Sequence, residues 1–364
     1  MGAPRRVHQV MAALSYGDAV SNDALGIQAH LRAAGLESDI FAEHAHPRLA
    51  HRCRRLWEYP AASGADTVCI FHFAIGSGAG RLVFVAPGRL VVRYHNITPP
   101  EFFAGFLPHL ARQCHQGRVE LRAFAPRTEL ALGVSEFNRR ELEASGFRRT
   151  GVLPIPLDLD RFAAAPSSAV VRRLFADGRT NVLYVGRIIP NKKLEDLLRA
   201  FALYQRAYDP GSRLLLVGDH WGYERYLFHL QAMARSLGAQ DVVFTGQAED
   251  EDLRGYYSAA SAYVSLSEHE GFCVPLLEAM AAGVPALAYD AGAVAETLAG
   301  AGLLLRDKRP EKVAALLSRL VADPALRAAV LAGQQRRLET RRAVDFGSAL
   351  LERLRPLLDA SVST

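Results

Sequence analysis

The run Ser265-Leu-Ser-Glu-His-Glu-Gly-Phe-Cys-Val-Pro-Leu-Leu-Glu-Ala-Met-Ala-Ala-Gly-Val-Pro285 carries two carboxylates, Glu270 and Glu278, about a helix start. It reads as a strand end, a loop through Gly271, and a helix. Pro275 suits the first helical turn, where a missing N–H costs nothing. Gly283 suits the left-handed stop, with Pro285 beyond it. The helix should therefore begin near residue 274 and offer free backbone N–H groups and a partial positive charge to an anion or to sugar hydroxyls. Two acceptor-only side chains around an N–H cluster suit a ligand with hydroxyls at both ends and a phosphate between them. A nucleotide sugar has that layout. The plainer alternative is that Glu278 only complements the helix dipole.

A second group of candidates lies in Tyr184-Val-Gly-Arg-Ile-Ile-Pro-Asn-Lys-Lys-Leu194. A strand ends at Val185–Gly186, and Arg187, Lys192 and Lys193 crowd its carboxyl end. Cations there can neutralise a diphosphate and stabilise the charge that gathers on a departing nucleoside diphosphate. A solvated loop with incidental charge is the alternative. Lysine is scarce in this chain, confined to Lys192, Lys193, Lys308 and Lys312, so a pair at 192–193 stands out. A third candidate is His95, in Val92-Arg-Tyr-His-Asn-Ile-Thr-Pro-Pro-Glu101. It follows a strand and precedes a proline-stiffened loop, a place from which it can reach a donor sugar or a phosphate, or serve only the packing.

The elements that must position these residues read as strand–helix alternation. In the first half, apolar runs at Val7–Leu14, Ser38–Ala42, Thr67–Phe73, Leu90–Tyr94 and Leu130–Val134 are candidate strands. Gly17–Asp23 reads as a loop, with helices at Ala24–Ala34 and Glu136–Ala144. The second half repeats the theme, with strands at Asn181–Val185, Arg213–Val217, Val242–Thr245, Ala262–Ser265 and Pro285–Ala288. Helical segments follow each at Leu194–Tyr208, Tyr223–Leu237, Asp250–Ala259, Pro275–Ala282 and Ala293–Ala299. Apolar strands alternating with helices predict parallel sheets covered on both faces. Two prolines between Leu153 and Phe162 mark a linker. A chain of 364 residues suits two such domains. The first is expected over 1–155 and the second over 163–340, with the amphipathic segment at about 345–364 packing back on the first. Ligands of such sheets bind outside the carboxyl ends of the strands, which predicts an interdomain cleft.

Taken together, Val185-Gly-Arg187 with Lys192, Leu216-Val-Gly218, Phe244-Thr-Gly246, Tyr256-Tyr257 and Glu270-Gly-Phe…Glu278-Ala-Met-Ala…Gly283 resemble the family 4 retaining glycosyltransferases in order and spacing. The resemblance implies the α/β GT-B fold, two Rossmann-like doubly wound domains facing an interdomain cleft. The first would bind the acceptor and the second the nucleotide-sugar donor. By position, Glu270 resembles the carboxylate that holds donor-sugar hydroxyls near the reacting centre, and Glu278 the ribose-binding carboxylate. Arg187 and Lys192 resemble the diphosphate-binding pair, and His95 the first-domain histidine near the donor sugar. Gly17, in Tyr16-Gly-Asp18, occupies the glycine-rich loop after the first strand. Gly186 and the Gly271, Phe272, Cys273 and Val274 stretch complete the expected donor contacts. The chain departs from the pattern in having one glycine in the first loop, followed by Asp18, and in carrying Lys193 and Cys273 where glycines are common. Variants such as Tyr94-His-Asn-Ile-Thr-Pro99 and Glu268-His-Glu-Gly-Phe-Cys-Val-Pro275 resemble the branch that builds bacterial surface polysaccharides, including mannosyltransferases, which favours GDP-mannose over a UDP-sugar. The resemblance further implies transfer with retained configuration, to a saccharide or polyprenyl-linked saccharide.

No metal and no other cofactor is expected, because Arg187, Lys192 and a helix end can hold the diphosphate. Asp158-Leu-Asp160 has the form of a metal-binding Asp-x-Asp, but it lies in the proline-bearing linker. Gly76-Ser-Gly-Ala-Gly80 echoes a dinucleotide fingerprint without a clear following helix or acidic partner. A nicotinamide oxidoreductase is therefore a rival reading, as is a GT-B-shaped sugar-nucleotide binder without turnover. The net charge of +5 is mild, and the arginines are scattered, with no basic stripe interleaved with aromatics, so nucleic acid is not an expected partner. Cys53, Cys69, Cys114 and Cys273 have no regular spacing, an intracellular pattern. With no signal-like start and no membrane-length apolar run, a cytoplasmic location is expected. The basic Arg112–Arg127 stretch leaves peripheral contact with the inner face of a membrane open beside a merely solvated helix face.

Overall fold

The computed structural model describes residues 5–163, 168–169, 171, 175 and 177–359. The chain divides into two compact units. The first comprises residues 1–101, 108–157 and 344–364, and the second residues 102–107 and 158–343.

The first unit is built on a seven-stranded parallel sheet. Its strands are β1 (Val7–Leu14), β2 (Ile40–Ala45), β3 (Arg54–Arg55), β4 (Val68–Phe73), β5 (Arg89–Tyr94), β6 (Leu130–Gly133) and β7 (Thr150–Val152), in the order β3-β2-β1-β4-β5-β6-β7. β1, β4 and β5 are central and almost wholly buried, which their long apolar runs require of strands covered on both faces. Four polar residues interrupt those runs and are buried with them: His8 and Gln9 on β1, His72 on β4 and Arg93 on β5. His72 stands opposite Met11 on one side and Arg93 on the other. The last helix, Phe346–Asp359, returns to this unit. Its Leu350, Leu354 and Leu357 join Val7, Ile27, Leu31, Val68 and Val91 in one core, and Arg89 donates to the Leu357 carbonyl.

Two readings of this unit are corrected. Gly17–Asp23 is not all loop, because the first helix spans Ala19–Ala33. Asp18 caps it, its carboxylate accepting from the Ser21 N–H at 3.2 Å, and so has a plain structural task. The Gly76–Gly80 run does open a helix, Gly78–Val85, with Ser77 as its cap. The Glu43 carboxylate accepts from the Ala79 N–H at 3.0 Å and sits against Gly78. A phosphate at that helix start would meet a carboxylate, which removes the physical basis of the dinucleotide reading.

The second unit holds a six-stranded parallel sheet. Its strands are β8 (Asn181–Val185), β9 (Arg213–Val217), β10 (Val242–Gly246), β11 (Ala262–Ser265), β12 (Ala286–Tyr289) and β13 (Leu303–Leu305), in the order β10-β9-β8-β11-β12-β13. The strand order reverses between β8 and β11, as it does between β1 and β4 in the first sheet. In doubly wound sheets such a reversal opens a crevice at the carboxyl ends of the two strands. Residues from the second sheet and its helices form one core through Val182, Leu198, Phe201, Leu216, Leu230, Val264 and Leu317. Among the described residues, β13 and the helices Pro310–Ala322 and Pro324–Arg342 lie outside the expected pattern. Asp160 starts a short helix, Asp160–Ala163, and pairs with Arg342 at 2.7 Å.

The ends of β8 and β9 come close enough that only glycine fits. Gly186 and Gly218 have φ of +150° and +156°, and a side-chain carbon on Gly218 would overlap the Gly186 carbonyl. Gly218→Ala should therefore destabilise the chain by about 2 kcal/mol or more, read as a lowered denaturant midpoint.

Candidate functional site

In the second unit the chain leaves β8 at Val185 and turns through Gly186, whose N–H donates to the Val217 carbonyl at 2.9 Å. Arg187 follows. Its guanidinium donates to the Tyr223 hydroxyl and lies 5.1 Å from that ring's centre. A short turn, Pro190–Lys192, then brings Lys192 to the loop after β11. Its ammonium donates to both oxygens of Glu270, at 2.7 and 2.8 Å. The two side chains are only 18% and 8% exposed, so this is a largely desolvated, two-point ion pair.

Backbone contacts lace the two loops together around that pair. The Glu268 N–H donates to the Asn191 carbonyl, and the Asn191 amide donates to the His269 carbonyl. From behind, Ala293 N–H donates to the Glu270 carbonyl at 2.9 Å, and Gly292, at φ +58°, leaves no room for a side chain against the Glu270 backbone. Glu268 accepts from Lys193 and Lys308, and Lys308 also reaches Asp196 at 2.6 Å. Three of the four lysines thus converge on the β8 and β11 loops.

Gly271 and Phe272 continue that loop, and the Phe272 carbonyl accepts from the Thr297 hydroxyl. The helix Val274–Ala281 starts immediately after Cys273. Cys273 has φ +69° and Lys193 has φ +50°, so both positions noted as departures from glycine hold left-handed backbone. Such strain gathers at binding sites. Cys273 contributes no side-chain cap, and the first turn has no acidic residue, so no carboxylate of the helix itself competes for its N-terminal charge. Burial pushes the Cys273 thiol up, with Glu270 adding to the effect, so it is a neutral packing group.

Glu278 projects from the helix into a buried position. The Tyr257 hydroxyl donates to it at 2.9 Å, and Arg161 lies 3.7 Å from its other oxygen. Burial pushes its carboxyl up, and Tyr257 and Arg161 oppose the shift. Tyr257 and Arg161 were not among the expected site residues. Tyr257 belongs to the Tyr256-Tyr257 pair, but the carboxylate it meets is 21 positions away in sequence.

The first unit holds the other expected residues. Gly17, at φ +72°, makes the turn from β1 into the helix Asp18 caps. His95 follows β5, and its Nε2 lies 2.9 Å from His72 Nδ1 and 3.5 Å from Asp23. Asp23 is fully buried and accepts two hydrogen bonds, at 2.7 and 2.9 Å, from the Arg93 cation, which also balances its charge. Burial pushes Asp23 up and Arg93 opposes it. Burial, reinforced by Arg93, lowers His72 to about 3. Burial chiefly also drives His95 well below its ordinary value, so both imidazoles are neutral. Asp23, His72 and His95 place donor atoms within 4.8 Å of one another, the spacing of a metal site. The donor set argues otherwise, since the buried Arg93 cation already occupies both Asp23 oxygens.

The structure therefore joins Lys192 to Glu270 directly and sets Arg187 and Glu278 on separate partners. Both sheets that carry these loops belong to the GT-B class. The chain superposes on sucrose-phosphate synthase from Thermosynechococcus elongatus with a TM-score of 0.78 at 20% identity, covering 98% of this chain and 100% of that one. A structure from Anabaena in complex with UDP-glucose gives a TM-score of 0.77 at 18% identity, over 98% and 100%. Residues 171–336 match the family described as "Glycosyl transferases group 1". A GDP-mannose-dependent alpha-mannosyltransferase of Mycobacterium tuberculosis is 31% identical over 56% of this chain and 50% of its own length. The chain spans about half the length of the curated relatives it matches. The fold is therefore that of the GT-B class, and residues 171–336 are similar to the group 1 glycosyl transferases.

Glu278 offers a separable test, because its burial opposes its charge. A carboxyl raised above its unfolded value stabilises the fold below the unfolded pKa, and that contribution is lost as pH rises through the raised folded value. Glu278→Gln should therefore hold or raise the melting temperature at pH 7, with the gain over the parent shrinking as pH falls through the raised folded value and levelling off below the ordinary value of 4.5. A ribose-binding role for Glu278 predicts that the same variant weakens nucleotide-sugar binding about tenfold or more, measured by calorimetry.

Proposed function

We propose that this chain transfers a hexosyl group from a nucleotide diphosphate sugar to a saccharide or lipid-linked saccharide, with retained configuration at the transferred carbon. The observation that carries this reading is the Lys192–Glu270 pair beside the N-terminus of Val274–Ala281, at the strand-order reversal of a group 1 glycosyl transferase domain. In the free chain the two groups neutralise one another. When a donor enters, Lys192 exchanges Glu270 for the diphosphate, and the released carboxylate accepts hydrogen bonds from sugar hydroxyls. A buried ion pair is thus a store of two preorganised groups, each kept satisfied until its ligand arrives.

Arg187 and the helix N-terminus share the diphosphate with Lys192, and their charge grows in value as the leaving group departs. Glu278 binds the ribose diol, and Gly17 and Gly186 allow backbone to approach the phosphates. The backbone of Gly271, Phe272, Cys273 and Val274 completes the donor contacts. Retention follows from a front-face route, in which the departing phosphate oxygen takes the acceptor's proton. This needs no metal, given three sources of positive charge. The mycobacterial relative's use of GDP-mannose, together with the His95 and Glu268–Pro275 sequence variants, favours GDP-mannose, and the Anabaena complex makes a UDP-sugar the next choice. A cytoplasmic site of action suits such donors. The exposed Arg112, His115 and Arg122 of the helix Pro108–Phe124 would suit an anionic lipid surface at its inner face. No described helix is long and apolar enough to cross a membrane.

Glu270→Ala and Lys192→Ala should each lower kcat/KM by about 100-fold to 1,000-fold in a transfer assay with GDP-mannose and UDP-hexoses. Undiminished transfer in either variant would remove the assigned roles.

A further inference from the structure

His95 is held by a chain of hydrogen bonds whose direction can be worked out atom by atom. It starts at the Ala24 carbonyl, which can only accept. The Gln9 side chain lies 3.0 Å from that oxygen, so the atom facing it is the amide nitrogen. The other atom, the Gln9 carbonyl oxygen, then faces His72 Nε2 at 2.8 Å and can only accept. His72 must therefore carry its proton on Nε2. As a neutral ring it leaves Nδ1 bare, and His95 Nε2 lies 2.9 Å from that atom. His95 must in turn carry its proton on Nε2 and spend it on His72. Its own Nδ1 is left as a bare lone pair, bonded to no described residue, on a side chain 3% exposed.

We infer that Gln9 and His72 are positioning residues that fix His95 in the Nε2–H form, so that its Nδ1 accepts a hydrogen bond from a hydroxyl of the donor sugar and does not contact phosphate. This rests on the reading of His95 as a donor-facing group. It decides between two partners that the sequence leaves open. A phosphate oxygen is an acceptor and would need an N–H or an imidazolium. Here the single ring proton is committed to His72. The imidazolium form is opposed by burial and by the Arg93 cation, which approaches Asp23 from within the same cluster.

Asp23 and Arg93 complete the device. Asp23 lies 3.8 Å from His72 and 3.5 Å from His95, near enough to attract a proton onto either ring if its charge were free. The two-point contact of Arg93 holds that charge in place, while a third Arg93 nitrogen donates to the Leu153 carbonyl. The helix Ala19–Ala33 supplies both the Ala24 carbonyl and Asp23, so a single element sets the direction of the relay and the charge beside it.

The test is nitrogen NMR of the histidine rings in the full chain at pH 7, with and without GDP-mannose or UDP-glucose. The expected pattern for His95 is a protonated Nε2 and a bare Nδ1, with Nδ1 shifting as for hydrogen-bond acceptance when donor binds. In Gln9→Met the His72 proton loses its acceptor. His95 should then populate both tautomers, and kcat/KM should fall about tenfold to a hundredfold while the melting temperature is kept. A set of monodeoxy hexose donors should contain one that the parent discriminates against and Gln9→Met accepts relatively better. A proton on His95 Nδ1, an unchanged tautomer in Gln9→Met, or a stoichiometric metal on Asp23, His72 and His95 would overturn the relay. The parent spectrum decides even if the variant does not fold. The expected tautomer with full transfer by His95→Ala would instead overturn the donor-facing role and the hydroxyl contact with it.

Discussion

The largely buried pair between Lys192 and Glu270 constrains everything around it. Two opposite charges that are mostly shielded from water are tolerable only with near-ideal geometry, because losing either partner strands the other. The pair joins residues 78 positions apart in sequence, so its geometry depends on the fold. β8 and β11 must lie side by side, their loops must be laced at Asn191, and the Gly292–Ala293 turn must press on the Glu270 backbone. The close approach of Gly186 and Gly218 sets where the β8 loop begins. Left-handed backbone at Lys193 and Cys273 is one more cost carried at this place.

The two units use the strand-order reversal for different electrostatics. In the second, lysine charge is gathered against carboxylates, an arrangement that a charged ligand could exchange. In the first, the charges of Asp23 and Arg93 are locked on one another, beside the neutral imidazoles of His72 and His95. Fixed dipoles and a fixed proton suit recognition of hydroxyls, while exchangeable ion pairs suit a diphosphate.

Much of the second unit was legible in the sequence because its signals are local. β8, β9 and β11 and the helix Asp250–Ala259 fall where their apolar runs and turn residues put them. The helix at Val274–Ala281 is announced by Pro275 and Gly283. The Lys192–Glu270 contact could be suspected only from lysine scarcity and the resemblance, since pairing across a sheet leaves no local trace. The missed features are of this kind. Tyr257 and Arg161 reach Glu278 from distant segments, and Asp23 finds Arg93 seventy positions away. Gln9, His72 and Arg93 did leave a signal: each is a polar residue in a largely apolar, buried strand, where an unpartnered group would be costly. The start of the first helix was misplaced because Ser21, Asn22 and Asp23 favour turns by propensity, and only the Asp18 cap and the burial of Asp23 against Arg93 override it.

The most direct measurement is equilibrium titration of the full chain with GDP-mannose, UDP-glucose and the corresponding free nucleotides, in the parent and in Lys192→Ala. The account predicts that one nucleotide family binds the parent in a saturable, one-to-one manner, and that Lys192→Ala weakens the diphosphate contact by about tenfold or more without loss of fold. Parent and variant binding a nucleotide sugar equally well, or neither nucleotide family binding the folded parent, would contradict it.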